Sequence, residues 1–501
     1  MLWEKEIHNE NNVYVDLLRN IEYPRKHYRV HRRKDNKISM QLRLDGNEKY
    51  SQGDFEGALL KYNESACMAE NKSEHLGLSY ANRSQCFYKL ELYQRCLVDI
   101  ELARESGYPI NLISKLDNRK EECEKHLKAG KIEKANSEWE DTVRSFKIET
   151  DDEYGRLARA TRDIEIGETV LIEKAYIRTV NSEQSNECTN CGSRRRNFVP
   201  CQKCADAMYC CAACAENNFH RIECDMIIGT MENREYLGFI IRSVVIGISN
   251  FSNITEMTQF VENARSSSVT SSHYPQSSKS KYSFFLKLSM PSSLSFVEGL
   301  IKEAYFIFHA IIDSSHFNNK FTTITDKRFL MHLIVHHAII LQTNAFEFEE
   351  DEQAVHELCL YTSMFNHSCL PNIAKLSNGN LSVCKSILRI KKGDQIFLTY
   401  LQEDAFHMTE KQRNDQLQKK YEFRCKCKLC TDGILLAFGL DNDPCFKYVT
   451  SIADDVNDID IDFVKENCIQ FLTKYSEFLG SQEISYIADT LSVMFSKELN
   501  R

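Results

Sequence analysis

The chain has 501 residues, 42% of them hydrophobic, and its 63 Lys and Arg against 72 Asp and Glu leave a net charge of −9. That length suggests about three domains with real cores and excludes a disordered chain. The acidic balance excludes a general attraction to nucleic acid phosphates, with a basic stretch from Arg25 to Lys37 as the local exception, read as a solvated face. The opening residues (MLWEKEIHNENN) carry charge early, and the apolar stretch from Tyr236 to Phe251 is broken by Arg242, so neither secretion nor membrane spanning is expected.

In chain order, residues 1–140 are expected to form a helical region. Two helix pairs repeat there. The first, GNEKYSQGDFEGALLKYNESA (Gly46 to Ala66), turns at Gly53-Asp54, and the second, YANRSQCFYKLELYQRCLVDIELA (Tyr80 to Ala103), is offset by about 38 residues. The pattern resembles tetratricopeptide repeats, whose period is about 34, with the excess in the polar stretch Glu70 to Leu76. A degenerate third pair is expected through Ser137, and stacked pairs of this kind expose a concave surface suited to peptides.

From Tyr154 the character changes to short strands and tight turns, as in YGRLARATRDIEIGETVLIEKAY. Residues 182–224 form a Cys-rich insert, 226–345 return to helical periodicity, and the Ser-rich run Ser266 to Ser283 reads as a loop. Strand-like segments resume at Leu381 to Tyr400, and 433–501 read as a short tail of two or three helices.

Twenty Cys in a chain with no secretory signal point to metal rather than to disulfides. Eight lie between Cys188 and Cys224. Four ligand pairs stand out there: Cys188-x2-Cys191, Cys201-x2-Cys204, Cys210-x3-Cys214 and His220-x3-Cys224, enough for two tetrahedral zinc sites, with Cys211 to spare. So few apolar residues lie in this insert that metal would supply its folding free energy. The spacing, with Tyr209-Cys210 before the third pair, resembles a MYND finger over 188–224. That resemblance implies interleaved sites, one of Cys188, Cys191, Cys210 and Cys214 and the other of Cys201, Cys204, His220 and Cys224. A further trio, Cys425-x-Cys427-x2-Cys430, needs a fourth ligand; Cys369 is the obvious candidate, but spacing alone does not choose between it and Cys359 or Cys384.

The segment FNHSCLPN (Phe365 to Asn372) sets Asn366, His367, Ser368 and Asn372 just after an apolar run. Its company is Gly155-Arg156, Asn344 in QTNAF, Gly393-Asp394-Gln395-Ile396 leading to Tyr400, and Tyr421-x-Phe423-x-Cys425. Together these resemble the SET domain of protein lysine methyltransferases over about 150–432, split by a MYND insert as in the SET-and-MYND (SMYD) family. With repeats ahead, the order is that of its repeat-bearing SMYD4-like branch. The expected fold is therefore an α+β multidomain chain: helical repeats, a β-rich SET domain carrying a finger and a helical insert (226–345), a SET core over 346–400, a post-SET zinc segment over 413–432 and a helical tail.

The resemblance implies an S-adenosylmethionine-dependent transferase acting on a lysine of a protein substrate. Asn366 and His367 would hold the cofactor, with Gly155, Arg156, Asn344 and Tyr400 lining the pocket and Phe423 near the adenine. Cys369, Cys425, Cys427 and Cys430 would share a third zinc. Tyr400 would orient the amine and Tyr421 wall the channel as the catalytic pair. Leu157 stands where many SET domains have a second glycine and could crowd the methionine end. The rival reading is a non-catalytic adaptor whose finger and repeats bind peptides, for example of co-repressor or deacetylase complexes. Direct DNA binding through the finger is not expected, since its basic residues are only Lys203, Arg221 and Arg194 to Arg196. Location is expected in both cytoplasm and nucleus, RVHRRK (Arg29 to Lys34) being the one basic signal.

Overall fold

A computed structural model describes residues 28–128, 142–143, 145–151, 155–180, 187–192, 197–216, 219–228, 234–266, 275–291, 295–317, 319–350, 353–401, 405–433, 439–452 and 460–499. Local capping sets the N-terminal helices. Asp35, Asp54 and Ser73 each turn a side-chain oxygen onto the free amides that open α1 (Asn36–Ser51), α2 (Phe55–Met68) and α3 (Glu74–Lys89). Then follow α4 (Tyr93–Glu105) and α5 (Ile113–Lys128). The first two pair, as do the next two, around buried Ala58, Tyr62, Tyr80, Phe87, Cys96 and Ile100. Gly46 is required where α1 crosses α2, because a Cβ there would stand 2.6 Å from Tyr62 Cε1. The second helix of the expected third pair lies outside the described residues.

The middle of the chain is built from short strands: β1 (Phe146–Asp151), β2 (Gly155–Ala160), β3 (Thr169–Lys174), β4 (Ile177–Val180), β5 (Phe346–Glu350), β6 (Gln353–Leu358), β7 (Asn366–His367), β8 (Ile373–Asn378), β9 (Leu381–Ser386) and β10 (Phe397–Leu398). β1 and β2 form an antiparallel pair, β5-β6-β4 a second sheet, and β8-β9-β3 a third. β7 lies parallel to β10, an arrangement that draws residues 366–367 and 397–398 together from distant parts of the chain. Strand returns at Phe346, ahead of the expected Leu381, because FEFEE and QAVHEL form a hairpin whose Glu residues blur the apolar pattern.

Between β4 and β5 stand α6 (Arg234–Ser249), α7 (Ile254–Ser266), α8 (Ser278–Phe285), α9 (Ser295–Ile312) and α10 (Ile324–Asn344). Their buried Ile241, Val244, Leu330 and Leu333 join Ala158, Val170 and Leu171 of the strands in one core. The Ser-rich run read as a loop is helical at its C-terminal end: Ser277 and Ser280 make a reciprocal cap and Tyr282 is buried. Residues 267–274 lie outside the described part. α11 (Glu410–Tyr421) leads to the last Cys trio. The tail forms α12 (Pro444–Ser451), α13 (Ile461–Lys474) and α14 (Gln482–Leu499), whose Val464, Phe471 and Leu491 pack on Ile172, Leu376 and Val383 of the β8-β9-β3 sheet. Among the described residues no single helix is long and apolar enough to cross a membrane.

The basic run is not a solvated face. Residues 25–27 lie outside the described part, but Val30 is buried, Arg32 Nε donates to Asp206 Oδ1 at 2.5 Å, and Lys34 Nζ donates to Cys67 O at 2.9 Å. The acceptors sit far along the chain or on a helix end, where the composition of the run itself could not reveal them.

Candidate active site and metal centres

Three groups of four donors gather as the resemblance implies: Cys188, Cys191, Cys210 and Cys214; Cys201, Cys204, His220 and Cys224; and Cys369, Cys425, Cys427 and Cys430. Tetrahedral zinc with ~2.3 Å bonds to sulfur separates its thiolates by about 3.8 Å. The sulfurs meet that spacing: Cys191 to Cys210 is 3.6 Å, Cys210 to Cys214 3.7 Å, Cys201 to Cys224 3.7 Å, Cys369 to Cys425 3.8 Å and Cys369 to Cys430 3.6 Å. His220 Nε2 is 3.2 Å from Cys204 Sγ. Backbone amides of Cys210, Lys203, Asp206 and Cys427 point at ligand sulfurs at 3.4 Å each, as thiolates require. The donor sets therefore fit zinc. Cys211 is exposed, and Cys359 and Cys384 are buried elsewhere, so Cys369 is the fourth member of the last group.

The third group is built into the candidate active site. His367 Nδ1 accepts the Tyr400 amide at 3.0 Å, which leaves the imidazole proton on Nε2, 3.3 Å from Cys369 Sγ. Burial pushes His367 down to about 4, so the ring is neutral at physiological pH. Its ring centroid is 5.4 Å from that of Tyr400 and 6.0 Å from that of Phe423, while Tyr400 and Tyr421 approach to 4.8 Å. Burial raises both tyrosines, with Tyr421 pushed up to about 12, so both hydroxyls keep their protons. Tyr400 OH donates to Phe365 O at 2.8 Å. Arg413, on α11, reaches Ala405 O, Met408 O and Leu429 O and lies 3.5 Å from Cys430 Sγ, fastening the trio to the helix.

A second set of bonds brings the remaining candidates together. Asn366 Nδ2 donates to Arg156 O at 2.9 Å; the Arg156 guanidinium reaches Lys287 O and, at 2.7 Å, Ser289 Oγ; Asn344 Nδ2 donates to Ser289 O at 2.7 Å; and Ser363 Oγ donates to Asn344 O at 3.1 Å. Gly155 opens β2 at φ +66, a left-handed value, with open space around it. Leu157 is wholly buried. Beneath the turn, the buried Glu173 carboxylate accepts the Tyr361 and Thr362 amides at 3.1 and 2.6 Å and the Thr362 hydroxyl at 2.5 Å, fixing the approach to Phe365 and Asn366. Glu173, Lys287, Ser289 and Arg413 were not legible in the sequence. None belongs to a motif, and each acts through a partner far along the chain.

Residues 155–401 match the family model of the SET domain. The chain contains a SET domain. It is similar to the SMYD lysine methyltransferases: the protein-lysine N-methyltransferase SMYD4 of Danio rerio is 30% identical over 227 residues, 38% of this chain and 30% of that protein. The N-lysine methyltransferase SMYD2 of Homo sapiens is 26% identical over 284 residues, 55% of this chain and 58% of that protein. The matches thus span less than two thirds of those relatives' length. A solved SET domain of LSMT, bound to lysine and AdoHcy, aligns over 72% of this chain and 88% of its own at 12% identity, with a TM-score of 0.26, too loose to bear on the site.

Proposed function

We propose that the protein is a zinc-containing, S-adenosylmethionine-dependent protein-lysine N-methyltransferase. The observation that carries this is the turn at Asn366–His367. Parallel pairing with Phe397–Leu398 draws it against Tyr400, the Asn366 amide ties it to Arg156, and the His367 imidazole ties it to Cys369 of the third metal group. The SET match and the likeness to SMYD relatives support the same reading.

When bound, the cofactor supplies a methyl group on a sulfonium, ready for in-line displacement. What the chain contributes is position and environment. Asn366, Arg156 and Asn344, joined through Ser289, would hold one side of the pocket, and Phe423 the other. The clustered rings of Tyr400, Tyr421 and Phe423 would disfavour an ammonium by desolvation, so that the substrate lysine would enter as the neutral amine. The Tyr400 hydroxyl donates a hydrogen bond to Phe365 O, which leaves its oxygen lone pairs to accept an amine N–H and would aim the nitrogen lone pair at the methyl. We also read the segment around Cys188–Cys224 as a MYND-type finger, supported by its interleaved donor sets, and the N-terminal helix pairs as tetratricopeptide-like. Location in cytoplasm and nucleus is proposed as well, although the docking of Arg32 and Lys34 takes support from the basic signal.

The test is transfer of labelled methyl from S-adenosylmethionine to a cellular protein pool by the zinc-loaded protein. Lysine methylation that falls sharply in Tyr400→Phe supports the reading; no transfer to any pool by folded protein overturns it and leaves the adaptor role.

A further inference from the structure

The finger's second metal group carries a feature that its four ligands do not explain. His220 can bind zinc through Nε2, the atom beside Cys204 Sγ, and a neutral imidazole bound in that way carries its proton on Nδ1. Metal-bound histidines almost always donate that second N–H to an acceptor. In this structure His220 Nδ1 is buried and has no hydrogen-bond partner among the described residues.

A second orphan stands beside it. His31, in the segment just after the residues Tyr28–Arg29 that pair with Ile227–Ile228, lies edge-on to His220 with ring centroids 4.5 Å apart. Its Nδ1 is 3.5 Å from Asp206 Oδ2, and a carboxylate only accepts, so the His31 proton belongs on Nδ1. That assignment leaves Nε2 with a lone pair, and Nε2 is likewise buried without a partner. A buried donor without an acceptor and a buried acceptor without a donor therefore lie on two adjacent rings. Glu223, which lies close to both rings, has its two oxygens turned to Arg242, whose Nε is 3.1 Å from each and whose Nη2 is 2.7 Å from Oε2. Asp206 is itself fixed by the Arg32 side chain and main chain.

We propose that His31 is the outer partner of the second zinc site, its Nε2 accepting the Nδ1–H of metal-bound His220 while Asp206 holds its own Nδ1–H. The relay Asp206, His31, His220 makes the segment before α1 part of the finger's metal site, although it lies far outside the finger in sequence. It does not depend on whether the chain transfers methyl groups.

The test uses the full, zinc-loaded chain and a chromogenic chelator, reading the release of each zinc ion. In His31→Phe, which fills the space without offering an acceptor, one of the three ions leaves about 10- to 100-fold faster while the other two keep their rates. His31→Gln, whose amide oxygen can accept, restores part of the difference. Wild-type release of all three ions from His31→Phe overturns the proposal, as does equal acceleration of all three, which would mark a merely structural role. A fourth zinc ion bound per chain overturns it too, since His31, His220 and Glu223 would then be ligands. Should His31→Phe not fold, imidazole nitrogen NMR of the wild-type protein decides: the proposal requires protons on Nδ1 of both His31 and His220, and a proton on Nε2 of His31 refutes it.

Discussion

The finger and the last Cys trio use the same chemistry for opposite ends. The finger's two donor groups fold a segment that faces the N-terminal helices: Arg83, with no exposure at all, forks onto Asp99 at 2.7 Å twice and donates to Phe198 O at 3.0 Å, while Cys67 Sγ reaches Ala207 O at 3.6 Å. On its other side Gly192 and Gly379 meet so closely that a Cβ on Gly379 would stand 2.1 Å from Gly192 O. The trio with Cys369 has different surroundings. Its neighbours are His367, Tyr400, Tyr421 and Phe423, so its metal would set the shape of the candidate pocket. Similar ligand sets thus teach little about role; the residues bonded around them decide whether a zinc site joins domains or shapes a catalytic surface.

Breaking each side separately sharpens the contrast. The largest effect is expected from Arg83→Ala, which strands the buried Asp99 carboxylate where helices meet finger. Removing one partner of such a pair costs about 3–5 kcal/mol, so chemical denaturation should show the helical region and finger loosening together while the proposed cofactor site survives. Cys430→Ser should do the reverse. One of three zinc ions is lost, the finger keeps its two, and methyl transfer falls about 10²-fold because the aromatic walls shift; metal analysis beside a transfer assay checks it.

Tyr400→Phe is milder. It leaves the Phe365 carbonyl without its donor, worth about 1–3 kcal/mol in a urea titration, and should lower kcat at saturating cofactor. The smallest effect belongs to Lys203→Ala, on the finger's surface, where Lys203 and Asp225 pair at 2.7 Å with both side chains more than half exposed. Its stability should change by less than about 1 kcal/mol, and equally little in high salt. A large loss there would mean that the finger's charged face does more than meet water.

Much of this arrangement was legible because local rules write it into the chain. Donors spaced a few residues apart named eleven of the twelve ligands, and the Gly53-Asp54 turn marked the break between the first two helices. FNHSCLPN and GDQIFLTY pointed to the site. What stayed hidden depends on distant partners: the choice of Cys369 over Cys359 or Cys384, the Arg156–Ser289–Asn344 bridge, Glu173 under the turn, and the docking of His31, Arg32 and Lys34 on the finger. The Ser-rich run misled because composition does not show that Tyr282 is buried, or that its hydroxyl bonds the buried His337 at 3.0 Å.

The central claim is that Asn366 and its neighbours form a cofactor pocket. Calorimetric titration of S-adenosylmethionine into zinc-loaded protein, beside Asn366→Ala, tests it most directly. The account predicts one cofactor bound per chain and binding lost or weakened at least about tenfold in the variant, with all three zinc ions retained. Folded, zinc-loaded wild-type protein that gives no binding heat and protects no site against the cofactor would contradict it.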